Sequence, residues 1–483
     1  MRNTFSIEVI PEPCAIVIFG ATGDLSRRKI MPSLCRLFTN NLLHEASCII
    51  ACGRSEKTTS TFRNFIKPHV PKCICETEKC RFLEQINYVR ADPADLQSFK
   101  KLAEYLNDME CSGSSLNHLF YFAVPPTSTA PLVTALSEVG LMKRSENSGW
   151  LHLAIEKPFG EDLESAIELD RFLHSHLKED DIFRIDHFLA KKTVQNILIT
   201  RFANRIFESL WDKNSIDHIQ IRTSETVGLE GRTAYFDRAG LLRDMFQNHL
   251  MEILMLIAME PPESFDAPAI HKAKLDLIKS IRPFTRKRIA DDIIRAQYSE
   301  GNGMPGYRQE EGIDDNSMTE TFVRMKMLID NERWEGVPFY LQAGKRMAHN
   351  NSEITIVFKR SSYKIFREQL AESLTPNTLT LRLRPNEGMK INLQSKHSGP
   401  KMAIGNMQFN TSYEEQSSNP KAPDDYARLL LDAMLHDHTL FVRGETIIES
   451  WRLFTTVLEA WNNEPQQYPL LTYPAGAEDV SAR

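Results

Sequence analysis

Three short segments of this sequence concentrate side chains able to move protons and hold anions. The first, Glu156-Lys157-Pro158-Phe159-Gly160, follows an apolar run directly, and a cis peptide before Pro158 would hold Lys157 toward a cleft. The second, Arg184-Ile185-Asp186-His187-Phe188-Leu189-Ala190-Lys191-Lys192, packs several cations around one carboxylate. The third, Arg243-Asp244-Met245-Phe246-Gln247-Asn248-His249-Leu250, has the character of a helix. Histidine titrates close to neutral pH and suits proton transfer, while lysine and arginine suit charge-assisted binding of an anion. Each residue also has an ordinary reading. His249 lies among Met245, Phe246, Leu250 and Ile253 and by type alone reads as a satisfied core histidine. Asp186 reads equally as a helix cap and Lys191–Lys192 as a solvated helix start. Asp244 reads as a helix-surface charge and Glu225 as an exposed strand residue.

A fourth segment points to a dinucleotide. The apolar run Ala15–Phe19 leads into Gly20-Ala21-Thr22-Gly23-Asp24-Leu25-Ser26-Arg27, a glycine turn between a strand and a helix. Glycines there let the backbone approach a pyrophosphate, and the helix N-terminus adds N–H groups and a positive dipole end. Enzymes that use NAD place an acid after the second strand, on the ribose 2′-hydroxyl. Here Cys48–Cys52 is followed by Gly53-Arg54-Ser55, and the fork of Arg54 suits a 2′-phosphate, with Arg27 or Arg28 as helpers. The cofactor expected is therefore NADP. A tight βα turn and a solvated arginine are the ordinary readings of these features.

Ala15–Phe19, Ser47–Ala51, Ile86–Val89, Leu119–Val124 and Leu151–Ile155 read as short buried strands able to position these groups. Lys29–Thr39, Leu96–Asn107 and Asp162–His176 read as helices between them. That alternation predicts an α/β Rossmann-like doubly wound parallel sheet. After about residue 210, Ile216–Ile221, Thr321–Leu328, Ile354–Phe358 and Leu379–Leu383 alternate like antiparallel strands. Helices are expected at Arg238–Met259, Asp424–Leu435 and Thr446–Trp461, loops at Gly301–Gly306 and Asn350–Ser352, and a loosely held tail from Tyr473. The expected division is a dinucleotide-binding domain over 1–185 and an α+β domain with a large, mainly antiparallel sheet over 186–483.

With 483 residues, the chain exceeds what one hydrophobic core usually serves. A net charge of −6 argues against a broad nucleic-acid surface and requires a local basic pocket for any anionic substrate. No apolar run reaches the roughly 20 residues that span a bilayer, and Met1-Arg2-Asn3-Thr4-Phe5 lacks a secretory apolar core, so a cytoplasmic location is expected. All 8 cysteines precede residue 112. His69, Cys73, Cys75 and Cys80 offer soft ligand atoms, but C-x-C is not a usual zinc spacing, and no metal is expected.

In these motifs the chain resembles glucose-6-phosphate dehydrogenase. The resemblance rests on Gly20–Pro32, Phe120–Thr127, Glu156–Gly160, Arg184–Asn196 and Arg243–Leu250, in the family's order. Glu225–Gly228, Tyr235–Asp237, Ala343–Arg346 and Tyr468–Tyr473 add to it, so it spans nearly the whole chain. It implies oxidation of glucose 6-phosphate at C1 to the 1,5-lactone with hydride transfer to NADP, the first step of the oxidative pentose phosphate pathway. It implies His249 as the base with Asp186 as its partner, and His187 and Lys191 as a phosphate clamp. Glu225, Asp244 and Lys345 match sugar contacts, and Lys157 matches the meeting point of cofactor and substrate. A homodimer on the large sheet, or a tetramer of such dimers, is also implied. Two other readings remain: a related NADP-dependent dehydrogenase of unphosphorylated sugars, which the basic clamp disfavours, and a non-catalytic NADP-binding regulatory protein, which would lack the base or the clamp.

The chain also departs from the family pattern. Lys192 stands where Glu is common, Phe188 where Tyr is common, and Asn350 near a usual basic position. Gln342, Asn351 and Thr355 occupy positions where some animal members carry basic residues for a second, structural NADP, so none is expected here. The end, Ala477-Glu478-Asp479, lacks the usual small, Gly- and Pro-containing terminus.

Overall fold

Runs of apolar residues on both faces make the first strands fit only the inside of a layered sheet. The computed structural model, which describes residues 9–111, 117–143, 149–229, 231–362, 374–398, 400, 403–413 and 423–480, bears this out. β1 (Cys14–Phe19), β2 (Cys48–Gly53), β3 (Ile86–Arg90), β4 (Asn117–Phe122), β5 (Leu151–Glu156) and β6 (Ile182–Ile185) pair in parallel in the order β6-β5-β4-β1-β2-β3. Every residue of β1, β2 and β4 is buried. The winding reverses between β1 and β4, and in such sheets a crevice opens at the carboxyl ends beside that reversal.

The second sheet is built from β7 (Ile216–Ser224), β8 (Ile293–Ser299), β9 (Phe322–Met327), β10 (Phe339–Gly344), β11 (Asn351–Phe358), β12 (Thr378–Arg384), β13 (Gly388–Lys396) and β14 (Ile404–Ser412). The short β15 (Phe441–Val442) leaves this region and pairs antiparallel with β6, closing the edge of the first sheet. β16 (Leu471–Pro474) completes the second sheet, whose order is β14-β13-β12-β11-β7-β10-β9-β8-β16. Its pairs are antiparallel except β7–β10 and β8–β16. Burial alternates along β11, the mark of a sheet with one covered face.

Three expectations need correction. The tail is not loose: Tyr473 and Val480 are buried, β16 pairs with β8, and the Tyr473 hydroxyl donates to Lys345 O at 2.6 Å. A tyrosine carries enough apolar area to anchor a terminal strand. Asn351 and Ser352 belong to β11 rather than to a loop, because they pair with β7. Arg238–Met259 is not one helix. Gly240 adopts φ +68 and breaks it, and the Glu320 carboxylate sits where a Cβ on Gly240 would be, accepting from Leu242 N at 2.9 Å. The chain then winds as a π-helix over Leu242–Leu250 and as an α-helix over Met251–Ala258, which is buried throughout.

Candidate active site

Asp186 is the first residue beyond β6, at the carboxyl end of its sheet, and only 2% of it is exposed. His249 comes from the π-helical segment Leu242–Leu250 and is 1% exposed. The wider π turn is found disproportionately at functional sites. The His249 Nδ1–H donates to Asp186 Oδ1 at 2.6 Å, and Phe188 N donates to the same oxygen at 2.9 Å. Asp186 therefore caps its own turn and not the following helix. A carboxylate has no proton to give, so the hydrogen lies on Nδ1 and the lone pair of Nε2 faces outward.

Lys157 follows β5, and the peptide before Pro158 is cis. Its Nζ donates to His249 Nε2 at 2.7 Å, to Asp244 Oδ1 at 3.1 Å and to Asp244 O at 3.0 Å. Tyr235 OH donates to the same Asp244 oxygen at 3.4 Å. Burial lowers the His249 imidazole, Lys157 adds to that, and Asp186 opposes it, so the ring stays below its ordinary value and neutral at pH 7. Burial alone would raise Asp186, but the charge interaction and hydrogen bond with His249 outweigh it and hold the carboxyl well below the usual range. Burial likewise favours a protonated Asp244, yet Lys157 overrides it and keeps this carboxyl at about 2.

An aromatic and basic wall adjoins this centre. Phe188 stacks on His249 with centroids 4.0 Å apart, and Lys191 Nζ lies 3.6 Å over the Phe188 ring. The His187 ring meets His249 edge-on at 5.1 Å and lies parallel to Tyr426 at 6.3 Å. Burial pushes His187 down to about 3, so it presents a neutral imidazole rather than the cation expected from its motif. An arriving dianion would raise it again.

Glu225 and Lys345 meet for a topological reason. β7 and β10 run parallel with Ser224 opposite Gly344, so the next residues on each strand emerge side by side. Lys345 Nζ donates to Glu225 Oε2 at 2.7 Å. Asn350 holds this corner by accepting from Thr226 N at 2.8 Å. Lys345 is also close enough to help lower Asp244. Lys157, Asp186, His187, Lys191, Asp244 and His249 thus form one cluster, with Glu225 and Lys345 at its flank.

The glycine turn fits a pyrophosphate. Gly20 has φ +77, and a Cβ there would sit 2.3 Å from Ala123 O. Gly23 N donates to Gly20 O at 2.9 Å and Ala21 N to Cys52 O at 3.0 Å, so the turn is strapped to the ends of β2 and β4. Thr22 packs beside Gly53, and exposed Arg54 follows at once. Arg27 and Arg28 pair with Asp24 at 2.8 and 3.4 Å. Leu25 and Ser26 lead into a π-helical first turn, Ser26–Ile30. Of the positions matched to a second nucleotide site, Gln342 accepts from Arg324 Nε at 2.9 Å and Thr355 bonds Thr380 at 3.2 Å.

Asp186, His187 and His249 hold ligand-type atoms within 4.8 Å of one another. Asp186 and His249 already share the Nδ1 hydrogen, and Lys157 donates to the other nitrogen of His249, an arrangement that suits proton transfer. His69, Cys73, Cys75 and Cys80 form no such group among the described residues. Sequence reasoning did not single out Tyr426, and it gave no role to Tyr121 or Glu156, which lie inside segments it quoted. Tyr121 OH donates to Glu156 Oε1 at 2.6 Å, and burial pushes Glu156 up to about 7. The signal was a glutamate at the end of a buried strand.

Known proteins match this chain along its length. The family model for the glucose-6-phosphate dehydrogenase NAD binding domain covers residues 17–196, and that for its C-terminal domain covers 198–483. The chain is 38% identical over 481 residues to glucose-6-phosphate 1-dehydrogenase of Chlamydia pneumoniae, covering 96% of this chain and 92% of that one. It is 39% identical over 474 residues to the Rhizobium meliloti enzyme of the same name, covering 96% and 94%. A solved glucose-6-phosphate dehydrogenase in complex with its substrate glucose-6-phosphate superposes with a TM-score of 0.90 at 33% identity, covering 98% of this chain and 96% of that one. No helix among the described residues is long and apolar enough to cross a membrane.

Proposed function

This chain belongs to the glucose-6-phosphate dehydrogenase family, and from that premise we propose that it oxidises glucose 6-phosphate at C1 to the 1,5-lactone, with His249 as general base. The observation that carries the reading is the buried relay Asp186–His249–Lys157, at 2.6 and 2.7 Å. Nε2 takes the proton of the C1 hydroxyl, which replaces Lys157 Nζ at that nitrogen. The imidazolium formed is stabilised by Asp186, which also fixes the reactive tautomer. Lys157 then stays on Asp244 and orients the reacting carbon. His187 and Lys191 receive the phosphate dianion, and Glu225, Asp244 and Lys345 hold the sugar hydroxyls. A bound nicotinamide dinucleotide would supply the acceptor for the C1 hydride. Gly20, Ala21, Thr22, Gly23, Asp24, Leu25, Ser26 and Arg27 would hold its pyrophosphate side, and Lys157 would lie between it and the sugar. Arg54, a cation directly after β2 where NAD enzymes place an acid, favours NADP over NAD.

Purified protein assayed by reduced-nicotinamide absorbance should turn over glucose 6-phosphate far faster than glucose, and NADP more efficiently than NAD. His249→Asn should lower kcat by about 10²- to 10⁴-fold and leave the sugar phosphate bound. Full turnover by that variant would remove the assignment. Equal rates with glucose would favour a dehydrogenase of unphosphorylated sugars. A homo-oligomer built on the second sheet is supported by Leu393, Met407 and Phe409, large apolar residues exposed on β13 and β14; light scattering reads it.

A further inference from the structure

Asp186 uses one oxygen for His249 and for Phe188 N. Its other oxygen, Oδ2, is buried and has no partner among the described residues. The same holds for both amide atoms of Gln247, a residue only 3% exposed. Polar atoms shut away from water without partners are costly, and close packing rarely leaves three together. Asp186 and Gln247 line one small cavity of about 10 Å³, with Glu252, Thr446 and Ser450 on its polar wall. They make no direct bond to each other. The Ser450 hydroxyl donates to Gln247 O at 2.8 Å and so holds the backbone under that side chain. A space of this size admits one water, which needs two to four polar partners.

We infer that the cavity binds one ordered water that accepts from Gln247 Nε2 and donates to Asp186 Oδ2, making Gln247 a positioning residue for the Asp186–His249 pair. The second hydrogen of that water has the hydroxyls of Thr446 and Ser450 within the same wall. The bridge stops the carboxylate from rotating about its Cβ–Cγ bond and keeps Oδ1 on the His249 Nδ1–H. It reaches no reacting atom. Its effect on turnover rests on the dyad reading above, whereas the water site itself does not.

The groups facing His249 are the charged Asp186, Lys157 and Asp244 and the titratable but neutral His187. On the cavity side, Glu252 is paired with Lys274 at 2.9 Å. Removing the bridge leaves the Asp186 charge less compensated, so the carboxylate holds the imidazolium proton more firmly. Gln247→Leu, which keeps the size and deletes the amide, should lower kcat about tenfold and change KM for glucose 6-phosphate less than about twofold. The acid limb of the kcat–pH profile should move upward by about half a unit. Gln247→Asn, which retains an amide in the cavity, should restore most of kcat and the limb. A crystal structure of the unaltered protein at about 1.5 Å should show a density peak roughly 2.7–3.2 Å from both Asp186 Oδ2 and Gln247 Nε2. A dry cavity, or a direct Gln247–Asp186 bond, overturns the inference. So does a Gln247→Leu variant with unchanged melting temperature and unmoved pH limb. If Gln247→Leu does not fold, the density and the asparagine variant decide. A fully active His249→Asn would sink the dyad reading yet leave the density result standing, so the two failures are distinguishable.

Discussion

His249 is gripped from both sides, by a carboxylate at Nδ1 and by Lys157 at Nε2. As the proposed base the ring must be neutral, and burial lowers its pKa, so activity should persist below the ordinary histidine value of about 6.5 before falling with acid. A kcat/KM–pH profile checks this. Asp186→Asn removes the charge that raises the ring, so its acid limb should lie lower still, with kcat down about 10²- to 10⁴-fold. Lys192 is exposed at the start of the helix Lys192–Phe202, next to Lys191. Lys192→Glu should raise KM for the sugar phosphate about threefold and leave kcat alone, with the effect shrinking at high salt; an unchanged KM removes that role for Lys192. Most of the cluster was legible as motifs because acid–base and phosphate chemistry require particular residue types at short spacing. Tyr426 was not, since an aromatic on a helix far downstream of the motifs signals only core. Nor was the neutral state of His187, which depends on how deeply the fold buries it.

At the scale of elements, each strand end delivers one group. β5 supplies Lys157, β6 Asp186, β7 Glu225 and β10 Lys345. The parallel sheet was readable because its strands are continuous apolar runs. β6 was missed because Arg184 interrupts it, a cation satisfied inside by Asp170 and Glu179 at 2.8 Å each. The break at Gly240 was hidden because glycine's positive φ leaves no trace in hydrophobic periodicity. Gly20→Ala would force a Cβ against Ala123 O, costing about 1–3 kcal/mol and pushing the turn away from the cofactor. The expected result is a lower melting temperature and a raised KM for the dinucleotide, with KM for the sugar phosphate little changed. Met251–Ala258 and Ala267–Lys279 are joined by the buried pair Glu252–Lys274. Lys274→Met would strand the carboxylate and should destabilise the protein by about 3–5 kcal/mol, which Glu252→Gln in the same chain should partly restore. Denaturant unfolding measures both.

For the molecule as a whole, buried histidines and buried acids pull stability in opposite directions. Burial lowers His152, His187 and His271 to about 3 and His438 to about 4, and lowers His249 as well, so from about pH 6.5 downward the unfolded chain takes up protons that the fold refuses. Burial raises Glu156 and Asp432 to about 7 and lifts Glu252 and Glu320 above their ordinary value, so between about pH 7 and 4.5 the fold takes up protons that the unfolded chain refuses. These signs oppose each other down to about pH 4.5. Below that the raised acids contribute nothing more, while the histidines and the depressed Asp186 and Asp244 all favour unfolding. Melting temperature should therefore be nearly level from about pH 7 to 5 and drop steeply below about 4.5; a steady decline from pH 7 would contradict this balance. Finally, β15 makes the order of synthesis matter. Two residues near position 441 supply the last ladder of a sheet whose other strands are finished by residue 185. Until the ribosome has released them, β6 offers an open row of amides and carbonyls to any passing chain. A fragment ending at 196 should accordingly be sticky and prone to join with its own copies, and adding back a peptide spanning 436–463 should quiet it.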